Sequence, residues 1–159
     1  MVKIKSINLS ISMLFIILIL SFLSYTYSQK IEAIKIGQIV KGKSLFDEGH
    51  NYYQLKIPRN ESNRILIITA SEDSSINDNT KDSFSDPDFY ISKKNKYPSS
   101  RRSSEWFSEQ YGSDILTIPA ESVWEDDIFY IGIYCQFKCK YFLKVETGFE
   151  NEIYLKEYK

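Results

Sequence analysis

Apolar and polar residues alternate with a period of two through much of this chain, which predicts strands rather than helices. Over 52–57, Tyr53, Leu55 and Ile57 share one face and Gln54 and Lys56 the other. Over 64–69 the run Ile65-Leu-Ile-Ile68 is continuously apolar, as expected of a strand buried on both sides. Further strands are predicted at 34–40 (interrupted by Gly37), 88–92, 114–118, 128–135, 139–146 and 152–155. Residues 128–135 and 139–146 are close enough to form a hairpin. Only 104–111 has a helical flavour. Proline punctuates the pattern at Pro58, Pro87 and Pro119.

About seven or eight short strands without a strong amphipathic helix predict an all-β, antiparallel β-sandwich. A small barrel has the same signature. The expected inner face holds Tyr53, Leu55, Ile57, Ile65, Ile67, Phe129, Ile131, Ile133, Tyr141, Leu143 and Val145.

The first 28 residues break this pattern. Lys3 and Lys5 precede an apolar run, Met13-Leu-Phe-Ile-Ile-Leu-Ile-Leu20, and small and polar residues follow to Ser28. That order is a secretory signal peptide, cut after Ser28 or Ser24. The alternative is an uncleaved anchor. The apolar stretch 11–23 gives roughly 20 Å of helix, short of the ~30 Å bilayer core. Two regions follow: a signal helix at 1–28 and one domain at 29–159. A secreted or cell-surface location follows, where thiols oxidise and calcium is available.

Composition adds limits. With Lys3 and Lys5 removed, the net charge moves from −1 to about −3, and no basic stripe is visible in the sequence. That argues against nucleic acid as a partner. Membrane attachment is expected only through an uncleaved leader or a segment beyond Lys159. The 12 tyrosines and 10 phenylalanines favour strands.

Cys135 and Cys139 are the only cysteines. On one straight strand their Cα atoms would be about 13 Å apart, too far for a disulfide. A turn over 136–138 brings them within reach, so a disulfide that clips the hairpin is expected. Redox pairs use a shorter spacing and zinc needs more ligands. His50 is expected in an exposed turn. The neighbouring carboxylates Asp126/Asp127 and Glu121/Glu125 read as loop charges, and no nucleophile motif or phosphate loop is present. No catalysis is expected.

Residues 71–88 are crowded with carboxylates. Asp86 and Asp88 flank a proline at a strand start, with Asp73, Asp78 and Asp82 nearby. Calcium takes six to eight such oxygens. A solvated loop, with Asp86 and Asp88 bonding backbone amides, is the competing reading. No other cofactor is indicated. Trp106, Phe107, Tyr111 and Trp124 lie in or beside loops, where aromatics plug a core end or contact a ligand. Asn60-Glu-Ser62 is an acceptor for N-linked sugar.

Several segments, in order, resemble the pre-peptidase C-terminal domain and its relatives in ciliate cell-surface proteins. They are Ile36-Gly37 to Gly42, Tyr52-Tyr-Gln-Leu-Lys-Ile-Pro58, Asp86-Pro-Asp-Phe-Tyr-Ile-Ser92, Asn95-Lys-Tyr-Pro98, Tyr111-Gly-Ser-Asp114 and the two segments 129–135 and 139–145. The resemblance implies a jelly-roll-like sandwich without catalysis that accompanies peptidases or receptors. It also implicates Asp86 and Asp88 in calcium binding. The expected function is a non-catalytic extracellular binding or structural module, calcium-assisted, whose partner is a protein or glycan. The alternatives are a carbohydrate-binding module using the loop aromatics, or the outer domain of a larger receptor.

Overall fold

The computed structural model describes residues 29–44, 49–73, 86–137 and 139–149. Among them are nine strands: β1 (Ile31–Ile34), β2 (Ile39–Ser44), β3 (Gly49–Lys56), β4 (Ile65–Glu72), β5 (Pro87–Ser92), β6 (Trp106–Ser108), β7 (Asp114–Ile118), β8 (Ile128–Cys135) and β9 (Cys139–Gly148). They form two sheets. The first has the order β1-β3-β8-β5-β6 and the second β2-β9-β4-β7. The sheets close over one core, so the fold is an all-β sandwich. Among the described residues no helix is long and apolar enough to cross a membrane. The leader at 1–28, Asp78, Asp82 and the strand expected at 152–155 lie outside the described residues.

The core is built by alternation. Tyr53, Leu55, Phe89, Ile91, Phe129, Ile131 and Ile133 face it from the first sheet. Leu66, Ile68, Ala70, Ile118, Tyr141, Leu143 and Val145 face it from the second. Each large side chain fully buried here contributes about 1.5–3 kcal/mol of transfer free energy. The expected inner face holds except on β4, where Ile65 and Ile67 both take the outer phase. On β4 it is Leu66, Ile68 and Ala70 that are fully buried, while Ile67 is half-buried on the outer side. A continuous apolar run carries no phase, so nothing in 64–69 says which alternate set points inward.

Four other expectations are corrected. Residues 34–40 are not one strand. The chain turns at 35–38, where the Gln38 amide donates to the Lys35 carbonyl, and β1 and β2 join different sheets. β1 also pairs in parallel with β3, the one exception to the antiparallel pattern among the described strands. Residues 104–111 hold β6, an edge strand on β5, instead of a helical turn. Finally, β8 and β9 are not a hairpin. β8 pairs with β3 and β5, β9 with β2 and β4, so the 136–138 connection crosses from sheet to sheet. Two alternating strands and a short link look the same in sequence whether the link folds within a sheet or between sheets.

The segment after β5 lies over the outer face of the first sheet. Register places Tyr52 and Tyr90 on either side of Gly132. A Cβ at Gly132 would stand 2.0 Å from the Pro98 carbonyl oxygen, so only glycine lets this segment lie so close. Tyr97 meets the Tyr52 ring edge-on at 5.2 Å. Tyr52 points outward, yet it is only 5% exposed.

Candidate functional site

The entry to β5 and the β6–β7 connection bring carboxylates together at one end of the sandwich. Asp86 precedes β5, Asp88 lies on it, Glu109 follows β6 and Asp114 opens β7. Asp86 Oδ1 accepts from the Gly112 amide at 2.8 Å, which ties the start of β5 to the β6–β7 loop. The Asp114 side chain is fully buried. Its Oδ1 accepts from the Gln110 amide at 2.9 Å, and its Oδ2 has no hydrogen-bond partner. Glu109 accepts from the Tyr90 hydroxyl at 2.8 Å and from Arg101 Nε at 2.8 Å.

The electrostatics follow from burial and crowding. Asp88 is pushed up to about 7, first by desolvation and then by the charges of Asp114, Asp86 and Glu109. Asp114 is also raised by burial. Bonds from the Gln110 amide and the Ser108 hydroxyl oppose that rise, and Asp86 and Glu109 add to it. Glu109 is lowered by its bond to Arg101. Asp88 and Asp114 thus resist ionisation beside Glu109, whose charged form Arg101 favours, an arrangement a cation relieves. Among the described residues, however, no three acidic, histidine or cysteine side chains stand together in a metal-holding group. The described carboxylates alone do not make the shell of six to eight oxygens that calcium takes.

Asp86 and Asp88 were legible as an acidic pair; Asp114 and Glu109 were missed. A signal for Asp114 exists: it occupies the inward phase of Asp114, Leu116 and Ile118, where an apolar residue is expected.

The aromatics do not form one platform. Trp106 packs on the core beside Phe129, with ring centroids 5.8 Å apart. Phe107 lies under Arg101, 4.8 Å from ring centroid to guanidinium. Tyr111, 80% exposed, is on the β6–β7 loop near Asp86. Trp124, 53% exposed, precedes β8 at the opposite end of the sandwich.

His50 is not in an exposed turn. It lies on β3 opposite Tyr134, with ring centroids 5.9 Å from Tyr52 and 4.9 Å from Tyr134. The loop carboxylates near Trp124 sit in separate ion pairs: Asp126 with Lys56 at 2.7 Å, Asp127 with Lys93 at 2.6 Å and Glu125 with Arg59 at 3.8 Å. Cys135 and Cys139 are joined, with Cα atoms 6.0 Å apart. Asn60 is exposed in a short 3-10 turn after β3, its Nδ2 donating to Glu61.

No family model matches the chain, and no curated protein matches it. Among solved structures, the chain is similar to the pre-peptidase C-terminal domain of a collagenase from Bacillus anthracis. That similarity has 11% sequence identity and a TM-score of 0.49, and it covers 76% of this chain and 99% of the other.

Proposed function

We propose that this chain is a non-catalytic extracellular module that binds a protein or glycan and uses calcium to lock its acidic end. Asp114 carries the reading: a fully buried carboxylate with one unpartnered oxygen, set among Asp86, Asp88 and Glu109. A buried charge without a partner is costly, and a bound cation offsets that cost. Asp86 Oδ2, Asp88 and Asp114 Oδ2 are the oxygens that would face calcium, with Asp78 and Asp82 as the remaining donors. Calcium would pull the start of β5 against the β6–β7 loop and so fix Tyr111. The leader and the cysteine pair support export to an oxidising compartment.

The test is thermal unfolding in millimolar calcium and in chelator. Binding to the folded state alone raises stability by RT ln(1 + [L]/Kd), about 2.7 kcal/mol at a hundredfold excess over Kd. Asp114→Asn is expected to abolish the calcium increment. Identical melting curves in calcium and chelator would remove calcium from the reading.

A further inference from the structure

The outer face of the second sheet carries a charge pattern that the chain's acidic balance hides. Ile39, Lys41 and Lys43 point outward from β2, and Lys140, Phe142 and Lys144 from β9. Register sets Ile39 opposite Lys144, Lys41 opposite Phe142, and Lys43 opposite Lys140. On the other side of β9, Thr69 faces Lys144 and Ser71 faces Phe142. Lysines from two distant segments therefore share one patch. On an edge strand such as β2, lysines discourage pairing with other chains. β9 is an inner strand and needs no such protection.

A groove of about 340 Å³ crosses this face, lined by Ile39, Thr69, Ser71, Phe142 and Lys144, and it falls in the size range of small-ligand sites. Its chemistry is mixed: two hydroxyls, one ring, one aliphatic side chain and a cation. Lys144 already holds a carboxylate, Glu146, at 2.8 Å. The Lys41 ammonium lies 4.9 Å from the Phe142 ring centroid.

We propose that this face binds a uronate-bearing polysaccharide lying across β2, β9 and β4. Lys41, Lys43 and Lys144 seat its carboxylates. Thr69 and Ser71 hydrogen-bond sugar hydroxyls, and Ile39 and Phe142 cover the apolar C–H faces of the rings. A membrane fits less well. Ile39 and Ile115, each 59% exposed, stand at the two ends of one row with Lys144 and Thr69 between them, so no continuous apolar wedge exists. Nucleic acid also fits less well, because the outward residues of these strands include no arginine fork and only one ring, Phe142. The proposal deepens the reading of the protein as an extracellular binding module, yet it is independent of calcium at the acidic end.

The experiment is a binding titration of the full chain with polygalacturonate, in chelator and at low salt. Neutral dextran, dextran sulfate, phosphatidylserine vesicles and oligothymidylate serve as comparison probes. Polygalacturonate is expected to bind, with affinity falling as salt rises. The triple variant Lys41→Glu, Lys43→Glu, Lys144→Glu should weaken binding about tenfold or more. Lys30→Glu, Lys94→Glu, Lys96→Glu makes the same charge change elsewhere and should leave binding within about twofold. If the first triple melts early, Lys41→Gln with Lys43→Gln replaces it, with the same expected direction. Absence of binding, equal loss in both triples, or tighter binding of dextran sulfate, vesicles or oligothymidylate overturns the proposal. Because the titration excludes calcium, its failure is distinct from a failure of the calcium melt.

Discussion

The hydroxyls of Tyr53 on β3 and Tyr141 on β9 meet 2.8 Å apart inside the sandwich, a polar link between the two sheets. Burial raises both phenols, so neither ionises at physiological pH. The Tyr141 ring reaches this position over Gly42, where a Cβ would stand 2.2 Å from the ring. Tyr141→Phe is expected to cost about 1–3 kcal/mol, because the Tyr53 hydroxyl loses its partner while buried. Removing both hydroxyls should cost less than the two single losses combined, and a double-mutant cycle by urea unfolding measures that coupling. Strict additivity would mean that the two hydroxyls do not act as a pair.

Gly132→Ala tests the segment that lies over the first sheet. The added methyl collides with the Pro98 carbonyl, and backbone cannot yield as a side-chain tip does. A loss of about 1–3 kcal/mol is expected, with Tyr52 and Tyr97 becoming more exposed to solvent. Unchanged tyrosine fluorescence and stability would show that 93–100 does not lie there.

Asp88 sets a pH dependence. Its folded value of about 7 lies above the ordinary 3.8, so between those values the folded state binds more protons than the unfolded chain. This group therefore makes stability fall as pH rises from about 4 to about 7, with the loss complete above that. Asp88→Asn should flatten this slope and raise the melting temperature at pH 7.5 by roughly 4 °C or more. Asp114 is raised as well and acts in the same sense. A wild-type midpoint that climbs steadily over the same interval, unaltered in the variant, would contradict the crowding of these carboxylates.

The Cys135–Cys139 link closes a small loop, so its entropic contribution is about 2 kcal/mol. Since it spans the passage between sheets, Cys135→Ser with Cys139→Ser should also loosen the ends of β8 and β9. Faster amide exchange at Gly49 and Ser44, their partners in register, is the expected sign. Exchange that changes nowhere would make the link incidental.

Asn60 is exposed on a short turn, as an acceptor for N-linked sugar must be. Protein from its own secretory pathway should lose mass on treatment with an N-glycanase, and Asn60→Gln should abolish that loss.

The all-β class, most of the core face and the acidic pair at the start of β5 could be read directly from residue order. Period-two alternation records which side of a strand is buried, wherever polar residues mark the phase, as at Gln54 and Lys56. What neighbours what could not be read, because pairing depends on contacts between residues far apart in the chain. The turn at 35–38 and the passage at 136–138 send consecutive strands into different sheets, although each looks like a local link. Asp114 became a partner of Asp86 and Asp88 only when β7 was laid near the start of β5. The lysines of β2 and β9 became one basic face only through their register. Local sequence encodes the burial of each strand, whereas sites made of several strands arise from long-range pairing and are decided in three dimensions.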